Sequence, residues 1–512
     1  MHHSRLLAHT GIRLKSLFVA TASLGLLFAT PTFAQADVPP PAPLDDSQWR
    51  QLEIAVGERA RELANSREFF DEVSRPVEIS ARLDRTSNSV VLGLDERFGR
   101  YVGSLELEDL QDSVDIGLEE LTAQIPGFAF IEWRIGGRSM DYWFNLSASV
   151  SEDPAASQAV ASANEAKAPV VVVAAGHGAY RHEKFGWTMQ RERVNGVLED
   201  EITQDFAEHL ARFIVRNGAE PVRLRGGAVS LVHEPSGLQW RSLAARYFIE
   251  NWRPENPDLW NTHADRNGPL KERDQDIRSR PLYANFINAA AVVHVHTNAS
   301  SALASGSRVF VHTGRADDFR LAQLTLCSMR ESIHADARYA DYNVPLQPSP
   351  SDKKGENSYA KVPSMIVEVG FHTNPNDAKL LQDPDFQRLS MRGVAKGMRL
   401  FREGASCAPF AIQQQATFTA SLGRDAWMPV SISGNPVYPV DIKATQIHCG
   451  KETCRTKAKI VHSKEQADAY RFNHLCWRGD ENSPIEFVVE ARDVDGVRTP
   501  PVTYQLKCVK PG

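Results

Sequence analysis

Four consecutive valines, Val170 to Val173, run through Ala174 and Ala175 into Gly176-His177-Gly178. A strand buried on both faces needs such an apolar run. Neither packing nor helix formation asks for an imidazole between two glycines at its end. Two more apolar runs carry ionisable residues: "AVVHVH" ends at His296, and "SMIVEVGF" encloses Glu368. A parallel α/β sheet binds its ligands outside the carboxyl ends of its strands, where residues remote in sequence converge. Two imidazoles and carboxylates in one crevice match the donor set of a catalytic zinc ion, which keeps one position open for water. A lone strand-end histidine is ordinarily a packing residue, but the company of His177 is unusual. Its glycines let backbone and metal approach closely, and a glutamate among Met365, Ile366 and Val367 is costly to bury without a task. Two choices stay open at this level. His294 and His296 point the same way from a strand of period two, and Glu199, Asp200 and Glu201 all stand ahead of the next apolar helical stripe.

These residues need a scaffold, and the pattern from Val170 to about Ala405 supplies one. Strands ("VVVVAA", "PVRLR", "AVVHVH", "SMIVEVGF") alternate with helices ("LEDEITQDFAEHLARFIVRNG", "SRPLYANFINAA", "FQRLSMRGVAKGMRLFREG"), the mark of an α/β layer fold. A central α/β domain with a mostly parallel sheet and flanking helices is therefore expected over 169–408. An insertion around 229–253, with "LQWRSLAARYFIENW" as its helix, breaks the rhythm; it is expected either to lie across the site as a lid or to pack on the edge of the core.

A chain of 512 residues exceeds one core. Over 37–150 a small α+β domain is expected: a helix at 45–66, strands in "PVEISARL" and "SVVLGL", a helix in "LEDLQDSVDIGLEELTAQI", then strands in "FAFIEWRI" and "MDYWFNL". Residues 151–168, rich in Ala, Ser and charge, read as a linker. Over 409–512 several strands separated by turn residues predict a β-sandwich of immunoglobulin-like type. Arg5, Arg13 and Lys15 precede the apolar "SLFVATASLGLLFATPTF" and a small-x-small site ending at Ala36, the pattern of a secretory signal over 1–36. No later segment is apolar enough to span a bilayer. A net charge of -6 without a basic stripe argues against nucleic acid as a partner. Six cysteines in an exported chain are expected to pair, as Cys327–Cys407, Cys449–Cys454 and Cys476–Cys508.

"AAGHGA", "LEDEI", "RSRPLYAN", "HVHTNA" and "VPSMIVEVGFHTNPNDAKLL" resemble, in order and rough spacing, the zinc-dependent N-acetylmuramoyl-L-alanine amidases of the amidase-3 family, over about 168–405. The resemblance implies zinc as cofactor with His177, Glu199 and His296 as metal ligands, and Glu368 as general acid/base. It also marks Arg280 and Asn298 as candidates for substrate binding; a structural ion pair is the other role for Arg280, and orienting the metal-bearing loop the other for Asn298. The sequence departs from the family where His294 replaces a serine, where Asp200 replaces a lysine, and where "AYRHEKFGWTMQRERVNGV" replaces a short turn. The function implied is hydrolysis of the amide between N-acetylmuramic acid and L-alanine of peptidoglycan, by an enzyme of the periplasm or the external medium. An activator or wall-targeting partner would engage the N- or C-terminal domain. The alternatives are a zinc carboxypeptidase-like amidohydrolase and a non-catalytic wall-binding protein.

Overall fold

The computed structural model describes residues 44–66, 76–148, 168–227, 230–264, 268–413, 417–449, 454–477 and 480–511. The expected signal over 1–36 and, except for Ala168, the linker over 151–168 lie outside the described residues. No helix among those described is long and apolar enough to cross a membrane.

The central sheet has six strands, in the order Ser349–Pro350, Arg308–Val311, Ser364–Phe371, Ala291–Asn298, Val170–Ala175, Glu220–Arg223. Every pairing is parallel except that of Arg308–Val311 with Ser364–Phe371. Helices cover both faces, which explains the unbroken apolar runs. Val171, Val173, Val293, Val295, Met365 and Val367 pack under helices Glu199–Arg216, Ala316–His334 and Pro384–Arg402. Two glycines let the last two helices touch: a β-carbon at Gly393 or Gly397 would stand 2.4 Å from the Cα of Met329 or Thr325. Val172, Ala174 and Val292 face the other way, toward helices Lys271–Phe286 and Ala245–Trp252. His294, His296, Ile366 and Glu368 share the parity of that second face.

The sequence patterns mislead at three places. "MDYWFNL" forms a helix, Met140–Ala148, and not a strand; Met140 and Phe144 are buried four residues apart, and the Trp143 indole donates to the Ile135 carbonyl at 3.0 Å. The helix Ala316–His334 was not anticipated, because its buried face interleaves Thr325, Ser328 and Ser332 with the apolar residues. The helix expected from "SRPLYANFINAA" begins at Lys271 and carries Pro281 in its interior. As for the insertion, Ala244 N and Ala179 N pair with Ala179 O and Ser242 O at 2.9 and 2.7 Å. Leu243, Tyr247 and Phe248 are buried against Ala179 and Tyr180. The insertion packs on the edge of the core, and none of its described residues lines the cleft described below.

N-terminal to this layer, helix Asp46–Asn65 and a four-stranded sheet enclose their own core, which Tyr359 of the central region joins. C-terminal to it, strands Phe418–Ser421, Val502–Val509, Ile485–Asp493, Val440–Ile447 and Thr456–Val461 form a five-stranded sheet, packed with the ribbon of Asp425–Pro429 and Arg471–Leu475. All three expected disulfides are formed. Cys327–Cys407 ties helix Ala316–His334 to the chain beyond the last central helix, across a separation of 80 residues. Replacing both cysteines by serine is expected to cost roughly 2–5 kcal/mol, read as a thermal midpoint below that of the oxidised wild type.

Candidate metal centre

His177 closes the first strand in a left-handed conformation, φ +59°. The glycines beside it are there for room. A β-carbon on Gly176 would sit 2.3 Å from the His296 ring, and one on Gly178 2.7 Å from Ala244 N. Arg225, fully buried, holds this turn by donating to the carbonyls of Gly176, Asp200 and Leu243 at 2.6–2.7 Å. Asp200 accepts from the backbone N–H groups of Gly178, Gln190 and Arg191 at 2.8–3.0 Å. It thus folds the long first loop against the helix start. Glu201 points away to an exposed pair with Arg193. Of the three acidic residues, Glu199 alone brings its carboxylate to both His177 and His296.

Three donor atoms converge. His177 Nε2 is 3.2 Å from His296 Nδ1 and 3.4 Å from Glu199 Oε2, and His296 Nδ1 is 3.2 Å from Glu199 Oε1. Ligands placed tetrahedrally about 2.0–2.1 Å from a zinc ion stand roughly 3.3 Å apart, so the triangle has the size the ion requires. All three residues are buried. The donor set also attracts a cation: Arg191 Nε approaches His177 Nε2 at 3.3 Å and Glu199 Oε2 at 3.6 Å. The remaining ring nitrogens are turned outward. His177 Nδ1 faces Gln190 Oε1 at 3.2 Å, and His296 Nε2 faces Glu356 Oε1 at 3.0 Å.

Glu356 and Glu199 pull the His296 imidazole up to about 10 against burial, so it holds a second proton that an incoming metal ion would displace. Burial lowers the His177 pKa and keeps the imidazole neutral. Burial alone would raise the Glu199 and Glu356 carboxyls, but the histidines around Glu199, and Arg280 with His296 around Glu356, bring both well below the usual range. Glu368 stands beside His296 in the parallel register. Burial pushes its carboxyl up to about 7 against the pull of His296, and its Oε2 is buried with no hydrogen-bond partner. His294 is fully buried, with burial pushing its pKa down to about 3, and both ring nitrogens are unpartnered. His296, not His294, joins the triangle.

A cleft of about 1200 Å³ opens over these groups. Asn298 lines it, with its side-chain oxygen accepting from Ala299 N at 2.8 Å. Arg280 also borders the cleft, fully buried and ion-paired with Asp276 and Glu356. Arg308 lines the cleft directly across from Glu368 in the antiparallel register. Its Nη1 donates to Ser307 O, and no ion pair engages it among the described residues. Sequence reasoning missed Gln190, Arg191, Arg225, Arg308 and Glu356. Nothing in "KKGENSYA" marks Glu356 out, since neither periodicity nor a glycine turn singles out its carboxylate.

The family model for N-acetylmuramoyl-L-alanine amidase matches residues 171–399. A germination-specific N-acetylmuramoyl-L-alanine amidase of Bacillus subtilis (strain 168) is 26% identical over 140 residues, which make up 27% of this chain and 55% of that protein. The chain thus spans about half the length of that curated relative. Among solved structures, the CwlD amidase of Clostridioides difficile, in complex with the GerS lipoprotein, is 17% identical with a TM-score of 0.32, covering 46% of this chain and 99% of its own. The apo N-acetylmuramyl-L-alanine amidase Ami1 of Mycobacterium abscessus is 15% identical with a TM-score of 0.31 and the same two coverages.

Proposed function

We propose, from the match of residues 171–399 to the N-acetylmuramoyl-L-alanine amidase family model, that the protein is an exported, zinc-dependent peptidoglycan amidase that cleaves between N-acetylmuramic acid and L-alanine. One observation carries the chemistry: three donor atoms at zinc spacing beside a buried, unpartnered carboxylate in one open cleft. His177, Glu199 and His296 would hold the ion. Zinc bound there supplies a Lewis acid for the amide carbonyl and brings the pKa of a water to about 7. Glu368 takes the proton of the attacking water on its free Oε2 and returns it to the departing alanine nitrogen. A carboxyl held near neutrality by burial suits both transfers.

The stem peptide carries carboxylates, and Arg308 is the cleft cation available to hold one in a charge-assisted bond. Arg308→Ala is expected to raise KM at least about tenfold with kcat little changed, since a hydrogen bond to a charged group is worth about 1.5–3 kcal/mol. Steady-state kinetics on a soluble muropeptide reads this split, and an unchanged KM removes the assignment. Asn298 orients the loop after His296 and borders the substrate. The flanking regions are auxiliary modules in this proposal, the C-terminal one an immunoglobulin-like β-sandwich in which strand Phe418–Ser421 runs parallel to Val502–Val509. Three disulfides suit a periplasmic or external location.

Digestion of purified sacculi tests the proposal. Release of intact stem peptides with a free L-alanine amine supports it. Release of terminal amino acids alone points to a carboxypeptidase, and binding without release to a wall-binding protein.

A further inference from the structure

Glu356 lies on the far side of the His296 ring from the other two donors. Its Oε1 is 3.0 Å from His296 Nε2, while Nδ1 faces His177 and Glu199. An ion pair with Arg280, itself paired with Asp276, keeps the carboxylate charged. A carboxylate only accepts, so the ring must donate through Nε2–H, and a neutral imidazole then presents its lone pair on Nδ1. Arg280 Nη1 is 3.3 Å from the same nitrogen; a guanidinium has no acceptor, so the Glu356 carboxylate is the group to which an Nε2–H can donate. The nitrogen that would meet the metal is thereby fixed from behind.

The segment carrying Glu356 is held from outside the central layer. Helix Leu105–Gly117 presents Glu108, Asp112 and Asp115 at spacings of four and three, one stripe of a helix. Lys353 Nζ reaches Asp112 and Asp115 at 2.6 and 2.5 Å, Lys354 Nζ reaches Asp112 at 2.6 Å, and Gly355 N donates to Glu108 at 2.9 Å. Three consecutive residues are clamped, and the fourth is Glu356.

We propose that Glu356 is a positioning residue that sets the tautomer of metal ligand His296, and that the N-terminal region, by clamping residues 353–355, couples its own docking to metal affinity. The proposal rests on the metal role assigned above. Outer carboxylates of this kind typically carry 10–100-fold in metal affinity.

Zinc affinity of the full chain, measured by competition with a chromophoric chelator and without substrate, tests it. Glu356→Gln is expected to weaken zinc binding about 10–100-fold, and Asp112→Ala to weaken it by a smaller factor. Nitrogen NMR of labelled histidine in the zinc-loaded protein adds a readout that packing alone would not move: His296 should meet the metal through Nδ1 and carry a far-downfield Nε2–H proton in the wild type, and lose that downfield shift in Glu356→Gln. Wild-type zinc affinity in Glu356→Gln, or a zinc-loaded wild type whose His296 meets the metal through Nε2, overturns the positioning role. Unchanged affinity in Asp112→Ala overturns the coupling to the N-terminal region. A wild type that binds zinc and has the expected tautomer but cleaves no sacculi overturns the amidase assignment and leaves this one standing. A wild type that binds no zinc overturns both.

Discussion

Glu368→Gln is expected to lower kcat on sacculi by roughly 10²–10⁴, the usual worth of a positioned proton-transfer group, while one zinc per chain remains bound. The two readouts separate because Glu368 is outside the triangle of donor atoms. The amide keeps the shape and the burial but has no basic oxygen for the water's proton. The pH profile gives a second check. Burial raises the Glu368 carboxyl to about 7, and its ionised form does the work, so the rate falls as pH drops through its pKa. A cation bound next to it favours the carboxylate, which moves this acid limb to pH 7 or below. In Glu368→Gln the residual rate should show no such limb. Full activity in the variant would remove Glu368 from the mechanism.

Replacing His177 by alanine is expected to abolish both zinc retention and hydrolysis. The remaining pair, Glu199 and His296, cannot complete a three-ligand catalytic site. Without the ion, water keeps a pKa near 15.7 and has no route to a nucleophile at neutral pH. The substitution empties space in a turn already held by Arg225 and Asp200, so the fold should persist, as read by an unchanged far-ultraviolet spectrum. Metal content by mass spectrometry together with sacculus digestion measures the effect. A His177→Ala protein that keeps stoichiometric zinc would contradict the ligand set.

The residues that meet at this centre were legible in the sequence where backbone pattern and chemistry coincide. A buried parallel strand must be apolar, so imidazoles and a carboxylate in "VVVVAAGHG", "VVHVH" and "SMIVEVGF" stand out against it. The choice of His296 over His294 and of Glu199 over its acidic neighbours came from the family resemblance, and in the structure it is these two that join His177. Four of the six strands and the mostly parallel order were likewise readable, whereas the short strands Arg308–Val311 and Ser349–Pro350 were not, and the cysteine pairing had no signal beyond nearness in sequence. What escaped lacks a local signature. Arg225 and Glu356 act through partners tens of residues away, and the polar residues in the buried face of Ala316–His334 blur its period. "MDYWFNL" shows tertiary packing overriding the strand propensity of its aromatic residues.

The proposed chemistry stands on a single metal ion held by His177, Glu199 and His296 beside Glu368. Anomalous diffraction at the zinc absorption edge, on crystals of the zinc-loaded full chain, tests it most directly. The account predicts one strong peak at about 2.0–2.1 Å from His177 Nε2, His296 Nδ1 and a Glu199 oxygen. A peak held by other residues, or none at saturating zinc, would contradict it.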